Sequence, residues 1–319
     1  MSGADPHHDE STRPRIVVVG PGAIGCLFAA SLARAGLDVL LLDKDPARAA
    51  LIAGRGVTVE ATPVAWHAAV PATASHAGIA PADILCVCVK AYDTAEAVRH
   101  ALPLIGPRTV VVSLQNGLDN ATVIASSVRA ERVLCAVTAH GATRLEPGRV
   151  RHAGSGTTLV GAWRPGDEPH ALAARFAGIL TKAGLAAEAT RHTAGLLWSK
   201  LAINAAINPV TALWDVPNGA LLERPELMEL AVQAAGEAER VARAAGITLL
   251  FRDAAAEVRG VCRDTAENLS SMLQDVRRGR RTEIDAINGA VVREARTLGV
   301  PAPVNEMLVR RVTSSEHGR

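Results

Sequence analysis

The segment Arg15–Asp45 limits what this chain can fold into more than any other stretch. Ile16–Val19 is a run of β-branched residues, which is typical of a strand buried on both faces. A GxGxxG turn follows at Gly20, Gly22 and Gly25, just before an alanine-rich helix. Because free backbone N–H groups at a helix N-terminus bind phosphate, this strand–turn–helix order predicts a dinucleotide site. A glycine turn with a purely structural role is the alternative.

Each glycine has its own predicted part in that site. Gly20 permits the sharp turn, Gly22 lets the backbone approach a pyrophosphate, and Gly25 lets the helix pack close to the strand. Asp43 closes the next strand about 20 residues further on, where such sites place an acidic residue. The predicted cofactor-binding turn consists of Gly20, Pro21, Gly22, Ala23, Ile24 and Gly25.

Length favours two globular domains, and the charge balance bears on the possible partners. The 319 residues are 49% hydrophobic, and 34 Lys and Arg against 32 Asp and Glu leave a net charge of +2. That balance gives no electrostatic reason to expect nucleic acid or an anionic membrane as a partner. The five cysteines are scattered and lack nearby ligands, so we expect reduced thiols and no metal site.

Residues 1–14 are polar and are predicted to form a disordered tail rather than a signal peptide. No apolar run reaches the roughly 18 residues that span a bilayer. These features predict a cytoplasmic protein that does not contact a membrane. They are also compatible with a homodimer.

Beyond the first unit, strand patterns alternate with helical ones up to about residue 190. The alternation predicts an α/β fold with a Rossmann-type, doubly wound parallel sheet, whose ligands lie at the carboxyl ends of the strands. Lys90, Asn116 and 138–142 fall at such ends, and Gly148–Ala162 is predicted to extend the sheet with two antiparallel strands. The other predicted strands are Val57–Glu60, Asp83–Lys90, Thr109–Ser113 and Val133–Val137.

From about residue 190 the pattern is helical, so we expect an all-helical C-terminal domain. Pro209 is expected to break the hydrogen-bond ladder of one helix, and a long helical run is predicted over Arg252–Arg278. Thr282 is predicted to cap a further helix with Glu283 in its first turn. The predicted division is a tail at 1–14, a dinucleotide-binding domain at 15–190 and a helical domain at 191–319. Four arginines are most simply a solvated turn: Arg277, Arg278, Arg280 and Arg281.

One helix face carries the most distinctive polar residues. Lys200, Asn204 and Asn208 are spaced i, i+4 and i+8 among apolar neighbours, so they line a single face. An amine and two carboxamides are costly to bury without partners. The face is therefore either a ligand site or a solvated polar stripe. Structural explanations also exist for two other residues: Ser271 is explained as a small packing residue, and Glu283 as an acid placed favourably at a helix N-terminus.

The chain resembles the ketopantoate reductase (2-dehydropantoate 2-reductase) family of NADPH-dependent enzymes of pantothenate biosynthesis. The similarity lies in GPGAIG, VCVKAYDT, SLQNGLDN, LWSKLAINAAINPVTALWDVPNGAL and TAENLSSMLQDVRRGRRTEIDAING. These blocks extend over nearly the whole chain beyond the tail, and the last two are specific to the family. The resemblance implies reduction of a 2-oxo acid, ketopantoate, to the 2-hydroxy acid pantoate.

The resemblance also implies roles for individual residues. Lys200 would be the general acid, and Glu283 would lie beside the substrate hydroxyl and the cofactor. Lys90 and the backbone at Ala142 would contact the cofactor, and Asn116 would lie between the substrate and the nicotinamide. The residues implied to hold the substrate are Asn116, Asn204, Asn208, Asn218 and Ser271.

The choice of cofactor is where the residues and the family disagree. The family often has an arginine after the second strand for the 2′-phosphate of NADP, and Lys44 occupies that place. Asp43 instead favours the free 2′-hydroxyl of NAD. Adjacent side chains of an extended segment project to opposite sides, so only one of the two is expected to face the ribose. We expect NADPH, with NADH as the alternative.

Two other functions stay open. An NADH-dependent reductase of another 2-oxo acid, such as a D-mandelate-type 2-hydroxy acid dehydrogenase, would use the same scaffold. A non-catalytic NADP-binding regulator is the second, although a regulator has no need of a proton donor such as Lys200.

Overall fold

The computed structural model describes residues 13–61 and 63–317, so the predicted tail lies outside the described residues up to position 12. The strands are β1 (Arg15–Val19), β2 (Asp38–Leu42), β3 (Val57–Glu60), β4 (Trp66–Ala68), β5 (Ala72–Thr73), β6 (Ala82–Val87), β7 (Ile105–Ser113), β8 (Val133–Thr138), β9 (Gly141–Glu146), β10 (Arg149–Gly154), β11 (Thr158–Ala162) and β12 (Ala187–Thr190). The helices are α1 (Ala23–Arg34), α2 (Pro46–Arg55), α3 (Thr94–Ala101), α4 (Asn120–Ala125), α5 (Asp167–Lys182), α6 (Thr193–Trp214), α7 (Ala220–Glu223), α8 (Pro225–Ala244), α9 (Ala254–Asp264), α10 (Ser271–Arg277), α11 (Asn288–Leu298) and α12 (Pro303–His317).

The main sheet has eight strands in the order β12-β11-β8-β7-β6-β1-β2-β5. Neighbouring strands are parallel except for the antiparallel pair β8 and β11. From β1 the chain moves to β2 on one side and later to β6 on the other, so the topological switch point lies between β1 and β6. The predicted doubly wound parallel sheet followed by a helical region is confirmed, while the division at residue 190 stays a prediction.

Both faces of the sheet are covered, which explains the unbroken apolar pattern of β1. Ile16 and Val18 pack into the core that includes Phe28 of α1. Val17 and Val19 point to the opposite core, which includes residues of α3 and α4. An alternating set of side chains is therefore buried on each side, as expected for a central parallel strand.

A second sheet, with the order β4-β3-β10-β9, packs beside α1. It corrects the prediction for Gly148–Ala162, because β10 belongs to this sheet whereas β11 joins the main one. β10 pairs parallel with β3 and antiparallel with β9. The local pattern showed two strands but not that they belong to different sheets.

The helical region differs from its predicted pattern in two places. The run predicted over Arg252–Arg278 is divided into α9 and α10, with a break at 265–270. The helix predicted to begin at Thr282 begins six residues later, at Asn288, because Glu283 lies in an irregular turn. Thr282 still accepts a hydrogen bond on its hydroxyl from the N–H of Ile284 (3.2 Å).

Pro209 lies inside α6, where it interrupts the hydrogen-bond ladder as expected but does not end the helix. Proline removes the N–H that would bond to the carbonyl four residues earlier, here that of Ala205. The side chain of Asn288 replaces this donor, because its Nδ2 lies 2.9 Å from the Ala205 oxygen. The helix therefore continues to Trp214 with that carbonyl satisfied.

Candidate active site

A cavity of about 770 Å³ opens at the switch point of the main sheet. Gly20 follows β1 and Lys90 follows β6, so the cavity begins at the carboxyl ends of these strands. Ser271, Asp275 and Glu283 line it from the helical region. The two parts of the chain thus meet around one space, in the place where this kind of sheet binds ligands.

The glycine turn forms one wall of the cavity. Gly20 has a φ of +96°, and a side chain there would place Cβ 2.6 Å from Val89 Cγ1. A Cβ on Gly25 would lie 2.1 Å from the Gly20 oxygen, so Gly25 is needed for close packing, and it does not itself line the cavity. A Cβ on Gly22 would meet no protein atom nearer than 3.8 Å. The space beside Gly22 suits a phosphate at the N-terminus of α1.

Asp43 and Lys44 both line the cavity, and the expectation that only one of them faces the ribose stays a prediction. β2 ends at Leu42 and Asp45 already caps α2, so the two residues are not in an extended strand. Asp43 is buried and accepts from Nε and Nη2 of Arg48 at 2.5 Å each. Lys44 Nζ is paired with two carboxylates, Asp93 at 3.2 Å and Glu96 at 3.5 Å.

Lys90 connects the two parts of the chain through an ionic cluster. Its Nζ lies 2.5 Å from Asp275 Oδ2 and 3.2 Å from Glu283 Oε2. The other oxygen of Glu283 accepts from the N–H of Ala91 (3.0 Å). Burial acts to lower the pKa of Lys90, but the charges of Glu283 and Asp275 outweigh it and raise the pKa. Lys90 therefore stays an ammonium ion that holds the helical region against the sheet.

Lys200 lies in a different environment. It lines a cavity of about 30 Å³ that shares Asn116 with the large one. Burial lowers the pKa of Lys200, and among the described residues its amine has no ion-pair or hydrogen-bond partner. Asn204 on the same face of α6 donates from Nδ2 to Asn116 Oδ1 (3.3 Å). This amine is free to interact with a ligand.

The structure brings most, but not all, of the predicted residues to the large cavity. Asn218 donates from Nδ2 to Thr265 Oγ1 (2.9 Å), and its buried Oδ1 has no hydrogen-bond partner among the described residues. The predicted residues that line the large cavity are Gly20, Pro21, Gly22, Ala23, Ile24, Lys44, Lys90, Asn116, Ala142, Ser271 and Glu283. Those that do not are Gly25, Lys200, Asn204, Asn208 and Asn218.

Sequence reasoning missed several charged residues of the cavity. Asp275 follows Ser271 by four residues on α10, a helical spacing that could have shown that both lie on one face. Arg278 and Arg280 also line the cavity, but both side chains are exposed, so the prediction of a solvated turn is not contradicted for them. Arg277 instead pairs with Asp215. No local pattern marked Arg48 or Arg144 as cavity residues, which is where the structure places both.

The doubly wound sheet, the glycine turn and the cavity at its switch point define a dinucleotide-binding protein. The family profile described as Ketopantoate reductase PanE/ApbA matches residues 16–165. The profile of the C-terminal part of the same family matches residues 193–316. The chain therefore belongs to the ketopantoate reductase family.

Known proteins resemble the chain over nearly its whole length. A 2-dehydropantoate 2-reductase of Halobacterium salinarum is 39% identical over 291 residues, which are 91% of this chain and 95% of the relative. A PanE/ApbA family ketopantoate reductase from Ralstonia eutropha JMP134 has a TM-score of 0.85 at 32% identity, covering 95% of this chain and 99% of that one. D-mandelate dehydrogenase with NADH and anilino(oxo)acetate has a TM-score of 0.90 at 26% identity, covering 95% and 98%. The predicted family and oxidoreductase class are confirmed.

No helix within 13–61 and 63–317 combines the length and the apolar character needed to cross a bilayer.

Proposed function

We propose that this protein reduces 2-dehydropantoate (ketopantoate) to pantoate with NADPH, a step of pantothenate biosynthesis, with Lys200 as the general acid. The observation that carries the proposal is the unpaired amine of Lys200, on one helix face with Asn204 and Asn208 and beside the cavity at the switch point. Membership of the ketopantoate reductase family supports the same reaction.

The cavity fits a dinucleotide. The free space beside Gly22 and the first N–H groups of α1 would hold the pyrophosphate, and His76 and His100 also line the cavity. When bound, the nicotinamide supplies the hydride for the ketone carbon. Lys90 and Ala142 line the same space and would contact the cofactor.

Lys200 acts on the ketone oxygen. Its ammonium group stabilises the negative charge that develops there and donates the proton that completes the hydroxyl. Because burial lowers its pKa and no carboxylate is paired with it, Lys200 gives up the proton more readily than an ordinary lysine. An ion-paired lysine such as Lys90 would release its proton less readily.

Neutral polar side chains would bind the rest of the substrate. We assign the substrate carboxylate and hydroxyl to hydrogen bonds with Asn116, Asn204, Asn208, Asn218 and Ser271. Two observations support this assignment: Asn218 has an unpaired Oδ1, which can accept from the substrate hydroxyl, and Ser271 lies on the cavity wall. Glu283 would lie beside the substrate hydroxyl, in an orientation held by Lys90 and the Ala91 N–H.

A steady-state assay with ketopantoate tests the proposal. We expect turnover with a kcat/KM that is higher with NADPH than with NADH. Absence of ketopantoate reduction with either nucleotide, in a protein that binds them, would contradict the proposed reaction. A higher kcat/KM with NADH would contradict only the proposed cofactor.

The second candidate is an NADH-dependent reductase of another 2-oxo acid. It is favoured by the TM-score of 0.90 to D-mandelate dehydrogenase with NADH. A panel of branched and aromatic 2-oxo acids, each assayed with both nucleotides, separates the two candidates. The first predicts the highest kcat/KM for ketopantoate, and the second predicts it for an aromatic or a longer branched acid.

A further inference from the structure

Four arginine side chains, which we call the arginine cluster, line one part of the large cavity: Arg48, Arg144, Arg278 and Arg280. They come from three separate parts of the chain. Arg48 lies on α2, Arg144 on β9, and the other two lie in the turn that follows α10. The sheet region and the helical region therefore each contribute two cations to the same wall.

The cluster has more positive charge than the protein neutralises. Arg48 is paired with Asp43, but among the described residues no carboxylate lies within 4.0 Å of Arg144 or Arg280. Arg278 donates to the backbone oxygen of Arg144 (2.7 Å), which is an uncharged acceptor. Burial lowers the pKa of Arg144, and the charges of Arg280, Arg48 and Arg278 lower it further. The four guanidinium groups repel one another, so an anion bound among them would relieve that repulsion.

We propose that the arginine cluster binds the 2′-phosphate of NADPH and that it, rather than Lys44, sets the preference for this cofactor. The inference rests on the proposed function, because it concerns the cofactor of that reaction. The proposed function already assigns the pyrophosphate to the N–H groups at the N-terminus of α1. The cluster is left for a second phosphate, and NADPH has one where NADH has a hydroxyl.

The position of Asp43 supports this assignment. In this fold the acidic residue at the end of the second strand lies beside the ribose; here that residue is Asp43, directly after β2, and Arg48 is bonded to it. Both carboxylate oxygens of Asp43 accept from Arg48, so they are engaged instead of being turned to a 2′-hydroxyl. Asp43 therefore acts as a positioning residue, which orients a cation for the phosphate instead of repelling it.

Lys44 is less suited to the task. Its ammonium group is already shared between two carboxylates, those of Asp93 and Glu96. An arginine also presents a planar set of donors that matches a phosphate, whereas lysine offers a point charge. The cluster thus replaces the single cation that the family often has after the second strand.

Titration calorimetry with NADPH and with NADH tests the inference without the 2-oxo acid. The variants are Arg144→Gln and Arg280→Gln, which remove cations that have no carboxylate of the described residues within 4.0 Å. We expect the Kd for NADPH to rise about 10- to 100-fold, and the Kd for NADH to change less than about threefold. Arg277→Gln is the matched control, since Arg277 lies next to Arg278 but pairs with Asp215 outside the cavity. It should leave both Kd values as in the wild type.

Each other result overturns the inference. Equal losses for the two nucleotides would assign the cluster to the pyrophosphate, and unchanged binding would show that it takes no part. A selective loss for NADPH in Lys44→Gln but not in Arg144→Gln or Arg280→Gln would assign the 2′-phosphate to Lys44. If one arginine variant fails to fold, the other still decides. A wild type that binds NADPH through the cluster but does not reduce ketopantoate would refute the proposed reaction alone.

Discussion

Lys90 and Lys200 are both partly buried near the same cleft, but Lys90 lies against two carboxylates and Lys200 lies against none. The pKa values of the two lysines are therefore shifted in opposite directions. Asp275 and Glu283 raise the pKa of Lys90 despite its burial, and burial alone lowers the pKa of Lys200. The same side chain is stabilised as a permanent cation in one place and prepared to lose its proton in the other.

The difference separates a structural region from a reactive one. The Lys90 cluster joins residues 185 positions apart in sequence and satisfies its charges within the protein. The Lys200 face leaves its amine without a partner, which costs free energy unless a ligand supplies one. Polar groups that the fold itself leaves unsatisfied are where a substrate is expected to bind.

The largest effect is expected from removing Lys200. Lys200→Ala should lower kcat for ketopantoate about 10²- to 10⁴-fold, because it removes the proposed proton donor. The Kd for NADPH, measured by calorimetry, should stay close to that of the wild type. Lys182→Ala, which removes an exposed lysine on α5, is the control. Near-wild-type turnover in purified Lys200→Ala would end the assignment.

Replacing each lysine by methionine should change stability unequally. Lys90→Met leaves Asp275 and Glu283 without their cation, so it should lower the free energy of unfolding by about 3 kcal/mol. This value is at the lower end for a broken buried ion pair, because a third of the Lys90 side chain is exposed. Lys200→Met removes an amine that has no partner, so it should be neutral or stabilising. Urea denaturation of both variants measures the contrast. Equal losses would show that the two lysines do not differ in the way the structure indicates.

The sequence predicted what depends on neighbouring residues. The turn at Gly20 and the alternation of strands and helices are local patterns, and both identified the sheet and the edge where its cavity lies. The spacing of Lys200, Asn204 and Asn208 likewise placed three polar groups on one face of a helix, since a helix repeats every 3.6 residues. Their roles in binding and catalysis stay predictions.

What could not be predicted depends on contacts between distant residues. The side chain of Asn288 donates to the Ala205 carbonyl, which Pro209 leaves without its usual donor. Because Asn288 lies 83 positions after Ala205, no local rule for proline reveals this contact. β3 and β10 pair in a second sheet although most of the strands between them in the chain belong to the main one. The arginine cluster assembles from residues between 48 and 280, and the pattern RRGRR looks the same whether its side chains face solvent or a cavity.

A smaller effect is expected when single neutral groups of the reactive region are removed. Asn208→Ala and Ser271→Ala should each cost about 1–3 kcal/mol of substrate binding, because each removes one partner of a proposed hydrogen bond. The KM for ketopantoate should rise, while kcat falls much less than in Lys200→Ala. Steady-state kinetics measures both. An unchanged KM in both variants would show that the substrate lies elsewhere.

The smallest effect is the pH dependence of turnover, which compares the two lysines in the intact enzyme. The proposed donor works only as an ammonium ion, so kcat should fall as the pH rises through the pKa of Lys200, which burial places below its ordinary value of 10.5. Lys90 has a raised pKa and stays charged over the same range.

We expect the decline to be no more than about tenfold per pH unit, as for the loss of a single proton. This decline is the alkaline limb of the pH profile, and measuring kcat at saturating NADPH and ketopantoate between about pH 7 and pH 10 would show it. Lys90→Met should retain the limb, whatever its absolute rate, because the proton that is lost belongs to Lys200. The residual rate of Lys200→Ala should lack it. A limb that persists in Lys200→Ala would assign the titration to another group and remove the distinction between the two lysines.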